Sequence, residues 1–136
     1  MILLPDTMHW IRWLGAGRLP EVSDPRARRR ILLATPVLQE LWAGVGNPRE
    51  AADLGRLYDA ARRRGVLVNP PAPAWVLAGQ AIARLRGKRR LGPARLRALR
   101  NDVLLAVTAA LHGATVLTAN RRDFAMIREV VEFSFR

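Results

Sequence analysis

Four acidic residues stand where they can cooperate in metal-dependent chemistry. They are Asp6, Glu40, Asp102 and Asp123. Carboxylates that meet at one place without cations repel one another, so their protons become hard to remove. A divalent ion that prefers oxygen ligands, Mg²⁺ or Mn²⁺, relieves that repulsion. The sequence therefore predicts a site for one or two such ions, with these four side chains as its metal ligands and catalytic residues.

Alternating apolar runs predict the elements that position these acids. The candidate strands cover residues 1–4, 31–34, 66–68 and 114–118, with a fifth over 130–135. The candidate helices cover residues 7–14, the segment from 35 to 43, and residues 48–64, 74–87 and 102–111. This alternation is typical of a mainly parallel sheet with helices on both faces. We therefore expect a three-layer α/β/α domain with four to five strands.

The predicted topology brings the four acids to one edge of the sheet. Asp6 follows the first strand, Glu40 lies in the helix after the second, and Asp123 follows the fourth. Asp102 begins a helix that is otherwise apolar, which is an unfavourable place for a charge without a partner. Taken singly, each acid has a simpler explanation. Asp6 can cap a helix, and Glu40 can be a solvated helix residue. Asp102 can favour the positive end of its own helix, and Asp123 can be a turn acid. Their combination at the carboxyl ends of parallel strands, where ligands bind, favours a shared site.

Three polar residues are candidates for orienting the acids. Thr7, Thr118 and Asn120 lie beside the predicted strand ends and can hold carboxylates by hydrogen bonds. Each threonine is equally well explained as a satisfied turn residue. His9 and His112 are too few and too far apart in sequence for a histidine metal site, so packing or surface positions are expected for both.

Length and composition set limits on the class of protein. A chain of 136 residues, half of them apolar, predicts a single globular domain over residues 1–136. The chain has no cysteine, which excludes disulfides and thiolate metal sites. The longest uncharged stretches, 65–83 and 103–120, are interrupted by proline, glycine or polar residues and do not resemble membrane-spanning helices. We expect a cytoplasmic protein with no membrane segment.

The chain is strongly basic, with a formal net charge of +12. Lys88 is its sole lysine, and the other cationic side chains are arginines. Arginine forks match phosphate oxygens, so a nucleic acid is the expected partner, although an arginine-rich composition is also typical of GC-rich genomes. The densest basic run leads directly to Asp102 and is predicted to bind the nucleic acid, unless it is a solvated helix face. Its members are Arg84, Arg86, Lys88, Arg89, Arg90, Arg95, Arg97 and Arg100. Residues 28–30 and 62–64 are weaker candidates.

The acidic positions fall within segments that resemble a known family. The sequence is similar to PIN-domain proteins of the kind typified by the VapC toxins of bacterial toxin–antitoxin pairs. The segments that carry the resemblance follow in family order and span nearly the whole chain: Leu3–Thr7, Thr35–Gly44, Asn101–Ala109 and Gly113–Phe124. The last two are the most specific. The chain departs from the family pattern at Pro5 and Met8, where we expect an effect on the geometry of the site more than on its ligands.

The resemblance implies a fold, an activity and partners. It implies a PIN-type α/β/α domain that cleaves RNA as a Mg²⁺- or Mn²⁺-dependent endoribonuclease, with water as the nucleophile and a 5′-phosphate on the product. It carries over Asp6, Glu40 and Asp102 as metal ligands, with Asp123 and Asn120 completing the site. It also implies a cognate antitoxin and a homodimer. Two alternatives remain, a PIN nuclease of RNA maturation and a non-catalytic basic module that binds RNA or an acidic protein.

Overall fold

Short strands and longer helices alternate along residues 1–17 and 30–136, which are the residues that the computed structural model describes. The strands are β1 (Ile2–Pro5), β2 (Arg30–Ile31), β3 (Leu33–Ala34), β4 (Leu67–Val68), β5 (Thr115–Leu117) and β6 (Ser134–Phe135). The helices are α1 (Thr7–Gly15), α2 (Thr35–Ala43), α3 (Pro48–Arg64), α4 (Ala72–Arg89), α5 (Pro93–Leu111) and α6 (Arg121–Ile127).

The sheet is parallel at every strand pair in the described residues. Four strands are ordered β2-β1-β5-β6, and β3 pairs separately with β4. The predicted strand over 31–34 is divided at Leu32, whose backbone N–H donates to Leu3 O at 2.9 Å. The next residue, Leu33, donates to Val66 O at 2.9 Å, so the chain passes from one partner strand to another. The predicted α/β class with a parallel sheet is confirmed.

Helix α5 forms the centre of the core. Every residue from Val103 to Ala109 is buried, as expected for a helix that is apolar on all sides. The helix packs against α4, α2, α6 and the adjoining strands. Its start, however, differs from the prediction: it begins at Pro93, a residue suited to the first helical position, and not at Asp102. Asp102 therefore lies near the middle of α5, and the explanation that it favours its own helix terminus is wrong.

The C-terminal part of the fold also differs from the sequence prediction. The turn predicted at 120–123 is the start of helix α6, which Asn120 caps by accepting a hydrogen bond from Asp123 N–H. The fifth strand is confined to Ser134–Phe135. Phe124 is fully buried and packs against Phe133 and Phe135, which places α6 against the edge of the sheet. Within the described ranges, no helix has the length and apolarity needed to cross a bilayer.

Candidate active site

Asp6 is fixed at the carboxyl end of β1, where it is buried with 6% of its surface exposed. One carboxylate oxygen accepts hydrogen bonds from the backbone N–H of His9 at 3.0 Å and lies 3.2 Å from His9 Nδ1. The other accepts from the Thr118 hydroxyl at 2.6 Å. Asp6 is thus both the N-cap of α1 and a preoriented acid, so the capping explanation does not exclude a functional one.

Asp102 projects from the middle of α5 into the same region. Burial raises its pKa from the ordinary 3.8 to about 7, and the charges of Asp6, Asp123 and Glu40 contribute to the rise. The positive charge of Arg95 opposes it. The other three predicted acids therefore all act on Asp102 through space, although the four residues come from four different segments.

Glu40 faces Asp6 and Asp102 across an open cavity of about 340 Å³. Asn101 Nδ2 donates to Glu40 Oε1 at 2.8 Å, which ties α2 to the middle of α5. The cavity is also lined by Asn120, so residues from both sides of the acids converge on it. A space of this size is sufficient for metal ions and a phosphate group.

Asp123 lies in the first turn of α6, beside the other acids. It forms an ion pair with Arg95, and Asn120 Nδ2 donates to its second oxygen at 2.8 Å. Burial favours the neutral acid, but the hydrogen bonds from Arg95 and Asn120 and the nearby charges lower the pKa of Asp123 overall. The carboxylate is therefore ionised and already neutralised by a cation from its own chain.

The polar residues predicted to orient the acids divide into two groups. Thr118 and Asn120 contact Asp6 and Asp123 directly, and the Thr118 hydroxyl also accepts from Asn120 N–H at 2.9 Å. Thr7 lines the cavity but makes no side-chain hydrogen bond to an acid in the part of the chain that the structure describes.

Sequence reasoning missed His9 and Asn101, which hold Asp6 and Glu40. The signal for His9 was available, because it lies three residues after the capping acid, on the same face of the first helical turn. No sequence signal joined Asn101 to Glu40, since the two residues are separated by 61 positions and meet only through helix packing.

The donor set suits a hard divalent cation in kind. All four candidate ligands are carboxylates, and the charged form of Asp102 is disfavoured until a cation offsets the surrounding negative charge. As the side chains stand, no group of three or more His, Cys, Asp or Glu residues within 1–17 and 30–136 is gathered closely enough to enclose an ion. Glu40 accepts a hydrogen bond from Asn101 and Asp123 is paired with Arg95, so these two partners share the carboxylates that a metal ion would bind.

Comparison with known proteins identifies the family. The PIN domain profile matches residues 3–130. The chain belongs to the PIN domain family. No curated protein matches it significantly.

Solved structures share the fold of this PIN domain at low sequence identity. VapBC2 from Rickettsia felis bound to a promoter DNA fragment has a TM-score of 0.69 at 20% identity, with 100% of this chain and 98% of the other covered. VapBC-1 from nontypeable Haemophilus influenzae has a TM-score of 0.68 at 17% identity, with 100% of this chain and 97% of the other covered. DNA-bound VapBC from Salmonella typhimurium has a TM-score of 0.67 at 20% identity, with 100% of this chain and 97% of the other covered.

The basic run of the PIN domain is divided among several roles. Arg84 donates to Val130 O at 2.8 Å, Lys88 and Arg89 pair with Glu129, and Arg95 pairs with Asp123. The remaining members are exposed and make no ion pair or side-chain hydrogen bond with the described residues: Arg86, Arg90, Arg97 and Arg100.

The weaker basic candidates have less support. Arg28 and Arg29 lie outside the described residues, and Arg30 begins β2 and donates to Gly65 O at 3.0 Å. Residues 62–64 end α3, which leads into the amino end of β4. They therefore lie at the edge of the sheet opposite the acids.

Proposed function

We propose that this PIN domain is a Mg²⁺- or Mn²⁺-dependent endoribonuclease, and that Asp6, Glu40, Asp102 and Asp123 hold one or two metal ions. The observation that carries the proposal is that Asp6, Glu40 and Asp102, from three different segments, line one cavity, with Asp123 near enough to act on Asp102. An enzyme gathers such repelling groups where a cation and a phosphate will occupy the space between them. Membership of a family whose proteins are generally nucleases supports the same reaction class.

The residues of the chain prepare the site in distinct ways. Thr118 and His9 hold Asp6 in one orientation, so little reorganisation is needed when it binds a cation. Burial and the neighbouring acids raise the pKa of Asp102 to about 7, which favours its protonated form, whereas a bound cation would favour the carboxylate. Asp6, Glu40, Asp102 and Asp123 would hold the metal ion, which would acidify a water molecule and offset negative charge on the phosphate. In the hydrolysis we propose, a water oxygen joins the phosphorus and the bond to the 3′ oxygen breaks, which gives a 5′-phosphate and a 3′-hydroxyl.

The test is cleavage of a panel of single-stranded and structured RNAs with Mg²⁺, Mn²⁺ or EDTA. Wild type is compared with the test variant Asp102→Asn and with the matched control Asp59→Asn. Asp59 is an exposed acid on α3, outside the site, so its substitution removes the same charge without touching the acids. We expect metal-dependent cutting by wild type and Asp59→Asn, and loss of at least about 100-fold for Asp102→Asn. Cutting that persists in EDTA or in Asp102→Asn would overturn the proposal.

We further propose that the nuclease is a cytoplasmic toxin with a cognate protein antitoxin. Structural similarity to VapBC toxin–antitoxin complexes supports this partner. An apolar groove beside the acids supports it independently, because it lies between α1, α2 and α3 and has Glu40 at its rim. Exposed Ile11 and Trp42 lie on the helices that border it. An antitoxin segment that fills this groove reaches the acids without crossing the sheet.

Expression tests the toxin proposal separately from the chemistry. Induced wild type should arrest growth of the host cell, and co-expression of the protein encoded next to the gene should restore it. Induction of Asp102→Asn should leave growth of the host cell unchanged. A cleaving enzyme whose induction leaves growth unchanged would instead favour a nuclease of RNA maturation.

We also propose a homodimer, as the resemblance implies. Exposed apolar side chains on α4 and at the end of α5 are available for such a contact: Trp75, Val76, Leu77 and Leu111. Light scattering after size exclusion measures the mass directly, and a 15.2 kDa species at micromolar concentration would contradict this part of the proposal.

A further inference from the structure

We propose that a groove lined by Arg89, Arg95 and Arg122 binds a backbone phosphate of the RNA next to the acidic site, and that Glu129 competes with this phosphate. The inference rests on the proposed function and identifies where the substrate strand runs. It also gives Arg122 a role, although Arg122 lies outside the basic run that the sequence indicated.

The groove adjoins the acids directly. It has a volume of about 430 Å³ and lies between the end of α4, the start of α5 and helix α6. Asp123 forms part of its wall and also acts electrostatically on Asp102, so the groove and the acid-lined cavity meet at this residue. Arg95 precedes Asp102 by about two turns of α5, a rise of about 10 Å along the helix, and its positive charge still acts on Asp102.

The charges of the groove suit an anion. Three arginines and two acids, Asp123 and Glu129, line it, so positive charge predominates. Arg122 is exposed and makes no ion pair or side-chain hydrogen bond with the described residues, which leaves its guanidinium available to a ligand. Guanidinium forks bind phosphate through two parallel hydrogen bonds.

Glu129 lines the groove and is paired with two basic side chains. Arg89 Nε donates to Glu129 Oε1 at 3.0 Å, a second guanidinium nitrogen contacts Oε2, and Lys88 Nζ lies 3.6 Å from Oε1. Lys88 and Arg89 are exposed and Glu129 is half-buried, and ion pairs that water reaches contribute little free energy. A phosphate can therefore displace the carboxylate, and while Glu129 is present it weakens RNA binding by occupying two cations.

Removing the competing acid gives a test that misfolding cannot imitate. The affinity of a fluorescent single-stranded RNA of eight nucleotides is measured in EDTA for wild type, Glu129→Gln and the control Glu132→Gln. Glu132 is an exposed acid three residues away that lines a different groove. We expect Glu129→Gln to bind about three- to tenfold more tightly and Glu132→Gln to change affinity less than about twofold. Unchanged or weaker binding by Glu129→Gln would overturn the inference.

Replacing Arg122 gives the converse test. Arg122→Gln should weaken RNA binding about three- to tenfold and reduce the slope of log affinity against log salt by about 0.7. Arg63→Gln is the control, because Arg63 is exposed at the opposite edge of the sheet. A slope that changes equally in both variants would contradict a specific phosphate site.

The same samples separate this inference from the proposed function. Cleavage of the eight-nucleotide RNA by wild type in Mn²⁺ tests the nuclease, whereas the EDTA affinities test the groove. If wild type cleaves the RNA but Glu129→Gln and Arg122→Gln bind it with unchanged affinity, the phosphate groove is wrong and the proposed nuclease activity stands. An acidic peptide that binds more tightly to Glu129→Gln, while RNA does not, would assign the groove to a protein and also overturn it.

Discussion

Replacing Asp102 with asparagine should stabilise the metal-free protein, although it should abolish the proposed activity. Burial and three neighbouring acids raise the pKa of Asp102 from 3.8 to about 7. At alkaline pH the folded protein must hold this carboxylate ionised in surroundings that disfavour the charge. Asparagine keeps the shape of the side chain and removes the charge.

The pKa sets the size of the effect. At about 1.4 kcal/mol for each pH unit, a rise from 3.8 to about 7 gives an upper limit of about 4 kcal/mol in the free energy of unfolding. The side chain lines an open cavity, where water screens part of the repulsion, so we expect about 2 kcal/mol. For a chain of 136 residues this is a rise in Tm of about 7 °C.

The pH dependence has a definite sign. Between pH 3.8 and about 7 the folded state binds the Asp102 proton more tightly than the unfolded chain does, so wild type loses stability as the pH rises through this window. The full penalty is present above pH 7. The Tm advantage of Asp102→Asn should therefore be largest near pH 8 and shrink as the pH falls towards 4.

Thermal unfolding followed by circular dichroism, in EDTA from pH 4 to 8, measures both features. Asp59→Asn serves as the control and should change stability by less than about 0.5 kcal/mol. Adding Mg²⁺ at about 100 times its Kd should stabilise wild type by about 2.7 kcal/mol and Asp102→Asn by much less. If Asp102→Asn is less stable than wild type at pH 8 without metal, or if its advantage does not depend on pH, the acids do not repel one another as described.

Three further substitutions test the surroundings of the acids. Thr118→Val removes the 2.6 Å hydrogen bond to buried Asp6 and should lower the free energy of unfolding by about 1–3 kcal/mol, whereas Thr118→Ser should retain most of it; urea titration distinguishes them. Arg95→Gln releases Asp123 and removes a positive charge from the site, so calorimetry should show Mn²⁺ binding about three- to tenfold more tightly, and weaker binding would contradict the competition between arginine and metal. Phe124→Ala empties a fully buried position and should cost about 3–5 kcal/mol in urea unfolding, far more than the same change at half-buried Phe135.

The sequence alone predicted the fold class because local patterns decide it. The short apolar runs that became β1, β4 and β5 lie at the predicted places within a few residues, and the apolar helix containing Val103 to Ala109 is buried as expected. These features depend on periodicity and on turn residues, which act over a few positions. The start of α5 was misplaced because the segment after Pro93 was interpreted as a basic stretch, although Leu96, Leu99 and Val103 recur at helical spacing and are buried.

The candidate site divides in the same way. The four acids and their order along the chain are properties of the sequence, and the topology of parallel strands brought them to one edge. His9 and Asn120 are local partners of Asp6 and Asp123, three positions away, but the distant partners were decided by tertiary structure. Thr118 reaches Asp6 across 112 positions, and Asn101 reaches Glu40 across 61. The same holds for the groove, where Arg122 joins Arg95 only because α6 packs beside α5. Side-chain contacts between distant segments depend on the packing of whole elements, and no pattern within a single segment records them.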